Sequence, residues 1–266
     1  MNAIVLQARL PFAPWTDPRS RKMPGGMPLD PDDWLQVDDA YAAQMALRDR
    51  LIAEREAEVH ALLPQAQAAA RELYDSVLPR LPALGFRLEQ GAAIRPDGVR
   101  VALDPSQPLM TLGRLCQEDF CLMQEDAGGE HLLTGAILCF TAGWRLDQKL
   151  GRALLRIHLP VGKYDEDMAR RVQRLFDAIR PEQPLWRANA HFSGAPLFNP
   201  LPEGLARSET DSAMPYIRSE RQCLLRLPQS RAVVFSIHTY LVREDDLTAG
   251  ARRNAEPLRP DAFGGR

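Results

Sequence analysis

An α+β fold is predicted by three features of the sequence. Helical apolar spacing dominates the first half, strict alternation dominates the last third, and one more helical stretch separates strand-like runs. From Asp39 onward, "DDAYAAQMALRDRLIAEREAEVHALL" places Met45, Ile52, Val59 and Leu63 among charges, the pattern of an amphipathic helix. Pro64 suits the first turn of a following helix, and "AQAAARELYDSVLPRL" carries that helix to about residue 80. "RPDG" is a turn. "PLMTLGRLCQEDFCLMQED" reads as a helix with Leu109, Leu112, Cys116, Phe120 and Met123 on one side, closed by Gly128 and Gly129.

"EHLLTGAILCF" is the first strand of the reading. "LDQKLGRALLRIH" returns to helical spacing through Leu146, Leu150, Leu154 and Ile157, until Pro160 and Gly162 stop it. "DEDMARRVQRLFDAIRP" gives another short helix. In "LWRANAHFS", Trp186, Ala188, Ala190 and Phe192 point one way and Arg187, Asn189 and His191 the other. "YIRSERQCLLRL" and "AVVFSIHTYLV", joined by "PQSR", form a hairpin. The prediction is therefore a helical N-terminal half followed by an antiparallel sheet with a helix in its middle.

Residues 1–38 stand apart. "DPRSRKMPGGMPLDPDDW" is too rich in proline and glycine for regular elements, so the segment reads as an extended arm, pinned to the body by Trp15 and Trp34. Residues 39–247 form the single domain, and residues 248–266 read as a flexible tail.

Composition narrows the function. A chain of 266 residues with 45% hydrophobic residues supports one large core. Its net charge of -2 gives no field suited to nucleic acid. No apolar run approaches the roughly 20 residues of a membrane span, and the N-terminus lacks a secretory pattern. The four cysteines show neither CxxC nor zinc spacing, so they read as reduced thiols of a cytoplasmic protein. A Gly-rich phosphate loop, GxSxG and HExxH are all missing.

Two features carry chemistry. His158 ends the apolar stripe just before Pro160. It is either a histidine capping terminal carbonyls or an axial ligand to haem iron, for which a single imidazole suffices. The second feature is polar density on the sheet: Arg187, Asn189 and His191 share one strand face, and Arg218, Glu220 and Gln222 share another. Outward polar residues are what any half-solvated sheet shows. Alternatively, arginines beside an amide and a carboxylate suit an anionic cofactor, because guanidinium pairs well with carboxylates such as haem propionates. His238 is the rival ligand, while His131 at a turn and His60 on an exposed helix read as bystanders.

Four stretches, in order, resemble one family: "QEDFCLM", "GWRLDQKLGRALLRIHLPVGKY", "LWRANAHF" and "RSERQCLLRLPQSRAVVFSIHTYLV". They are similar to the alpha subunit of haem-dependent oxidative N-demethylase, over roughly residues 10–247. The resemblance implies a PAS-like antiparallel sheet with flanking helices that binds haem b. It implies oxidation of a small methylated amine by dioxygen, with release of formaldehyde. Electrons would come from NADPH through partner reductase subunits carrying flavin and an iron-sulfur cluster, with a folate-binding subunit taking the one-carbon product. In the family's "IHxPV" position His158 is the implied axial ligand. Lys149, Arg145, Arg187 and Arg221 are implied cofactor contacts; Glu220, His191 and Asn189 are implied substrate or proton-handling residues. Ala190 stands where tryptophan is usual, and Gly162 where a second proline is usual.

Overall fold

The protein is described from a computed structural model, which covers residues 4–17, 19, 25–154, 157, 166–201, 215–255 and 258. Along the chain, the arm supplies a two-residue strand, β1 (Met27–Pro28). The helix α1 (Tyr41–Glu54) and a single turn α2 (Glu56–Val59) lead into a short strand β2 (His60–Leu62). Pro64 opens a 3-10 turn that runs into α3 (Gln67–Val77), as its fixed φ favours. Three short strands, β3 (Arg87–Glu89), β4 (Ala92–Ile94) and β5 (Arg100–Ala102), make a separate antiparallel sheet. Next come α4 (Pro108–Gly113), β6 (Asp119–Glu125) and β7 (His131–Ile137). The helix α5 (Glu166–Ala178) separates them from β8 (Leu185–Ser193), β9 (Tyr216–Arg226), β10 (Val233–Arg243) and the last helix, α6 (Ala249–Arg253).

The large sheet has the order β1-β8-β9-β10-β6-β7-β2 and is antiparallel at every pairing. An α+β fold is thus present, and the alternating reading of the last third holds strand for strand. The N-terminal half is not simply helical, because its described residues include the strands β1 to β6 besides the helices. His60 lies half-buried on β2 and not on an exposed helix, and His131 is the buried first residue of β7 and not a turn.

Two helical readings are corrected. The run from Pro108 stays helical only to Gly113; residues 119–125 are a strand whose first five residues are buried. Both sides of β6 are covered, so its apolar residues are continuous, and a continuous run does not distinguish a buried strand from a helix. Gly113 marks the break by close approach, since a Cβ there would sit 2.6 Å from Ile137 Cγ1 on β7. The stretch from Leu146 is not one continuous helix: it makes one 3-10 turn (Leu146–Gln148), docks as a bridge between Ala153 and Leu132, and is helical again at Leu154 and Ile157, whose N–H donates to Ala153 O. Gly151, at φ 72°, turns the chain there, and its N–H donates to Leu133 O. Leu146, Leu154 and Ile157 are nevertheless buried together, as their spacing predicts.

The sheet separates two cores. Trp34, Phe120, Leu122, Ile137, Cys223 and Val234 belong to the larger one, with α1, α3 and α4. The opposite face carries Cys121, Met123, Leu138 and Leu224 against Leu146, Ile157 and Phe176. The arm lies on the first face, held by both tryptophans: Trp34 Nε1 donates to Ser236 Oγ at 2.8 Å, and Trp15 Nε1 to Ala251 O at 2.9 Å. Ala251 and Ala255, in the segment read as a tail, are buried in the cluster around Trp15.

Candidate functional site

Antiparallel register sorts the polar residues by face. Arg187 pairs with Gln222, Asn189 with Glu220, and His191 with Arg218. Glu220 in turn pairs with Thr239, Gln222 with Ile237, and Arg218 with Leu241. Directly opposed residues share a face, so three rows cross β8, β9 and β10, with Asn189, Glu220 and Thr239 in the middle. The same face continues into the smaller core through Leu224, Phe235 and Ile237. It is polar at one end and apolar at the other.

Glu220 is the hub of the polar end. Arg218 Nε donates to its Oε1 at 3.2 Å, and Asn189 Nδ2 and Gln222 Nε2 donate to its Oε2, each at 3.1 Å. Asn189 Oδ1 accepts from Glu220 N at 3.2 Å, a reciprocal clasp that sets both side chains. Arg218, 2% exposed, also donates to Phe140 O at 2.8 Å and Leu197 O at 3.3 Å, tying the carboxylate to two neighbouring chain segments. Arg187 Nη1 donates to Gln222 Oε1 at 3.2 Å. Burial lowers the pKa of Arg187 and Glu220 pulls it back up, so the guanidinium sits where an anion is favourable. Thr239, fully buried, has a hydroxyl with no hydrogen-bond partner among the described residues.

The structure places other residues named from the sequence on the opposite face of the sheet. Arg221 lies on the arm face, donating to Asp33 O at 2.6 Å, Asp33 Oδ2 at 2.9 Å and Trp34 O at 3.0 Å. It also stacks over Trp186, 5.3 Å from the ring centroid. Ala190 is on that face too, against the cluster holding Trp15. His238 sits there between two carboxylates, with Nδ1 3.1 Å from Glu118 Oε1 and Nε2 3.1 Å from Asp38 Oδ2. Burial alone lowers its pKa, but the hydrogen bonds it donates to Asp38 and Glu118, with their charge, push it up to about 9. Both ring nitrogens of such an imidazolium are committed, and neither offers iron a lone pair.

Arg145 is exposed and paired with Asp147 at 2.6 Å. Lys149 Nζ donates to Ile157 O at 2.6 Å and lies 5.2 Å from the Trp144 ring centroid. His158 itself is outside the described residues, but its neighbour Ile157, 3% exposed, is anchored in the core beneath the apolar end of the site face. Arg218 was grouped with Glu220 and Gln222 from the sequence, but Thr239 was not read as a site residue and neither was tied to Asn189. Their place in the rows depends on long-range register, which local patterns do not supply.

The chain is thus an α+β protein whose large antiparallel sheet carries a buried face that is charged at one end and apolar at the other. Over residues 25–256 the sequence matches the family described as haem-dependent oxidative N-demethylase, alpha subunit-like, and the chain belongs to that family. The family's name carries haem dependence and a place among subunits. The residues present fit a haem: guanidinium beside amide at one end, aliphatic surface at the other, and an orphaned hydroxyl in the middle row. Among the described residues no three His, Cys, Asp or Glu are grouped to hold a bare metal ion, whereas a porphyrin asks the protein for one or two ligands. No helix among them is long and apolar enough to cross a membrane.

Proposed function

We propose that the site face holds haem b in a PAS-like sheet and that the protein removes a methyl group from a small methylated amine. The observation that carries this reading is the Glu220 hub at the junction of the polar and apolar halves of one sheet face. His158 would hold the haem iron; its sequence neighbour Ile157 is buried, and the carbonyl of Ile157 accepts from Lys149 Nζ. Arg187 meets the propionates, while Lys149 and Arg145 stand at the rim with Ile157 O and Asp147 as their own partners. Bound haem supplies the oxidising chemistry with dioxygen.

The chain's own residues do the rest. Glu220, paired with Arg218, attracts the amine and orients it, and Asn189 clasps its main chain and carboxylate. His191, half-buried opposite Arg218, moves protons. The aliphatic half excludes water from the reacting methyl group. In the balance, one oxygen atom enters the C–H bond and leaves with the carbon as formaldehyde. The nitrogen gains a proton, and two electrons and two protons reduce the other oxygen atom to water. The electrons arrive from a partner subunit with flavin and an iron-sulfur cluster. This assignment suits a cytoplasmic protein.

The test is formaldehyde release from a panel of methylamines by haem-loaded protein with a chemical reductant and air. Formaldehyde in step with amine loss supports the reading. A loaded protein that turns over none of the panel leaves a haem-binding module without turnover.

A further inference from the structure

We propose that Thr239 is a substrate-positioning residue, whose hydroxyl hydrogen-bonds the nitrogen of the amine that Glu220 attracts. Thr239 stands directly across from Glu220 on the adjacent strand. Its carbonyl accepts from Gln7 Nε2 at 3.2 Å and Gln44 Nε2 at 3.0 Å, so it points away from β9. Pairs of that orientation bring their side chains closest together. The Thr239 side chain therefore shares with Glu220 the face that carries Arg187, Asn189 and Arg218.

Its burial is complete, and its Oγ1 has no hydrogen-bond partner among the described residues. Buried hydroxyls are ordinarily bonded, and one that is not is a cost to the folded chain. Here the cost falls across from Glu220, where a nitrogen-bearing guest would remove it. Thr239 is also held firmly from behind: two buried glutamine amides grip its carbonyl, one from the arm and one from α1. A nitrogen seated between Glu220 and Thr239 meets two oxygens from adjacent strands. This arrangement suits an amine with two N–H bonds in its protonated form, and a tertiary amine, with one, would use only one of them.

The inference rests on the reading of Glu220 as the amine contact, and the experiment separates the two. Dimethylammonium binding to the haem-loaded protein is measured by calorimetry and by the change in the visible spectrum, for wild type, Thr239→Val, Thr239→Ser and Glu220→Gln. Thr239→Val is expected to melt no lower than wild type and to bind dimethylammonium about tenfold more weakly, about 1.4 kcal/mol. Thr239→Ser restores affinity, and trimethylammonium is indifferent to Thr239→Val. If Glu220→Gln weakens binding and Thr239→Val does not, the role of Thr239 is overturned and that of Glu220 stands. If neither does, the reading of Glu220 falls and the inference with it. A Thr239→Val protein that melts well below wild type shows that the hydroxyl has a partner within the fold, which also overturns the proposal.

Discussion

Glu220 and Arg221 are neighbours in sequence with opposite tasks, because alternation along β9 sends them to opposite faces. Arg221 fastens the arm through Asp33 and Trp34, while Glu220 gathers Arg218, Asn189 and Gln222 beneath the site. Two substitutions separate these roles. Arg187→Ala is expected to leave the melting temperature nearly unchanged and to weaken hemin binding by about 1.5–3 kcal/mol, the size of a lost charge-assisted hydrogen bond. Arg221→Ala is expected to do the reverse, lowering stability and speeding proteolysis of the arm while hemin affinity holds. Absorbance titration and limited proteolysis of the two variants check both. The alternation in "LWRANAHFS" was readable without coordinates, so Arg187, Asn189 and His191 were grouped correctly. Arg221 was grouped by its place in a motif, and a motif says nothing about which side of a strand a residue faces.

Elements were legible where period and burial agreed. The strands β8, β9 and β10 each have one polar stretch of face, so their alternation survives in the sequence. The strand β6 is covered on both sides, and its Phe120, Leu122 and Met123 mimic a helical stripe once Leu109 and Leu112 precede them. What ends α4 is a buried ion pair that only tertiary structure reveals. Arg48 on α1 donates to Gly113 O, Gln117 O and Glu118 O, and pairs with Asp119 at 2.7 Å, both side chains being fully buried. Asp119 also accepts from Cys139 N and Phe140 N. Replacing Arg48 with Met leaves Asp119 buried without its cation. The expected loss is about 3–5 kcal/mol, read from the shift of the urea midpoint. A loss below 1 kcal/mol would mean that the turn between α4 and β6 holds itself. The docked stretch after Leu146 belongs with this lesson: its apolar spacing marked the right buried residues, but Gly151 interrupts the helix that the spacing suggests, and helical backbone returns at Leu154 and Ile157.

Across the whole molecule, the sheet is a partition, with the arm latched on one side and the site on the other. The latch is electrostatic as well as apolar. Asp38 and Glu118 flank His238, and Gln117 Nε2 donates to Asp38 Oδ1 at 2.8 Å. Because the folded pKa of His238 is raised to about 9 from an unfolded value near 6.5, the protonated latch stabilises the fold fully below about pH 6.5. That contribution, on the order of 3 kcal/mol, drains away as pH rises toward 9. Asp38 acts at the other end: burial raises its pKa, but His238 and its amide partners hold it below the usual value, so its share is lost on acidification. Melting temperature should therefore fall between pH 6.5 and 9 more steeply in wild type than in His238→Gln. Parallel curves for the two proteins would show that His238 is neutral in the folded chain.

In the proposed function one imidazole, that of His158 beside the buried Ile157, completes a haem site on the half-polar face of the sheet. Hemin titration followed in the Soret region, in the oxidised and dithionite-reduced states, tests it most directly. Wild type is predicted to saturate at one haem per chain with a histidine-ligated spectrum. His158→Ala should stay folded and lose that band, whereas His238→Gln should keep it. A preparation that remains colourless with hemin, or a His158→Ala protein with the full wild-type spectrum, would contradict the account.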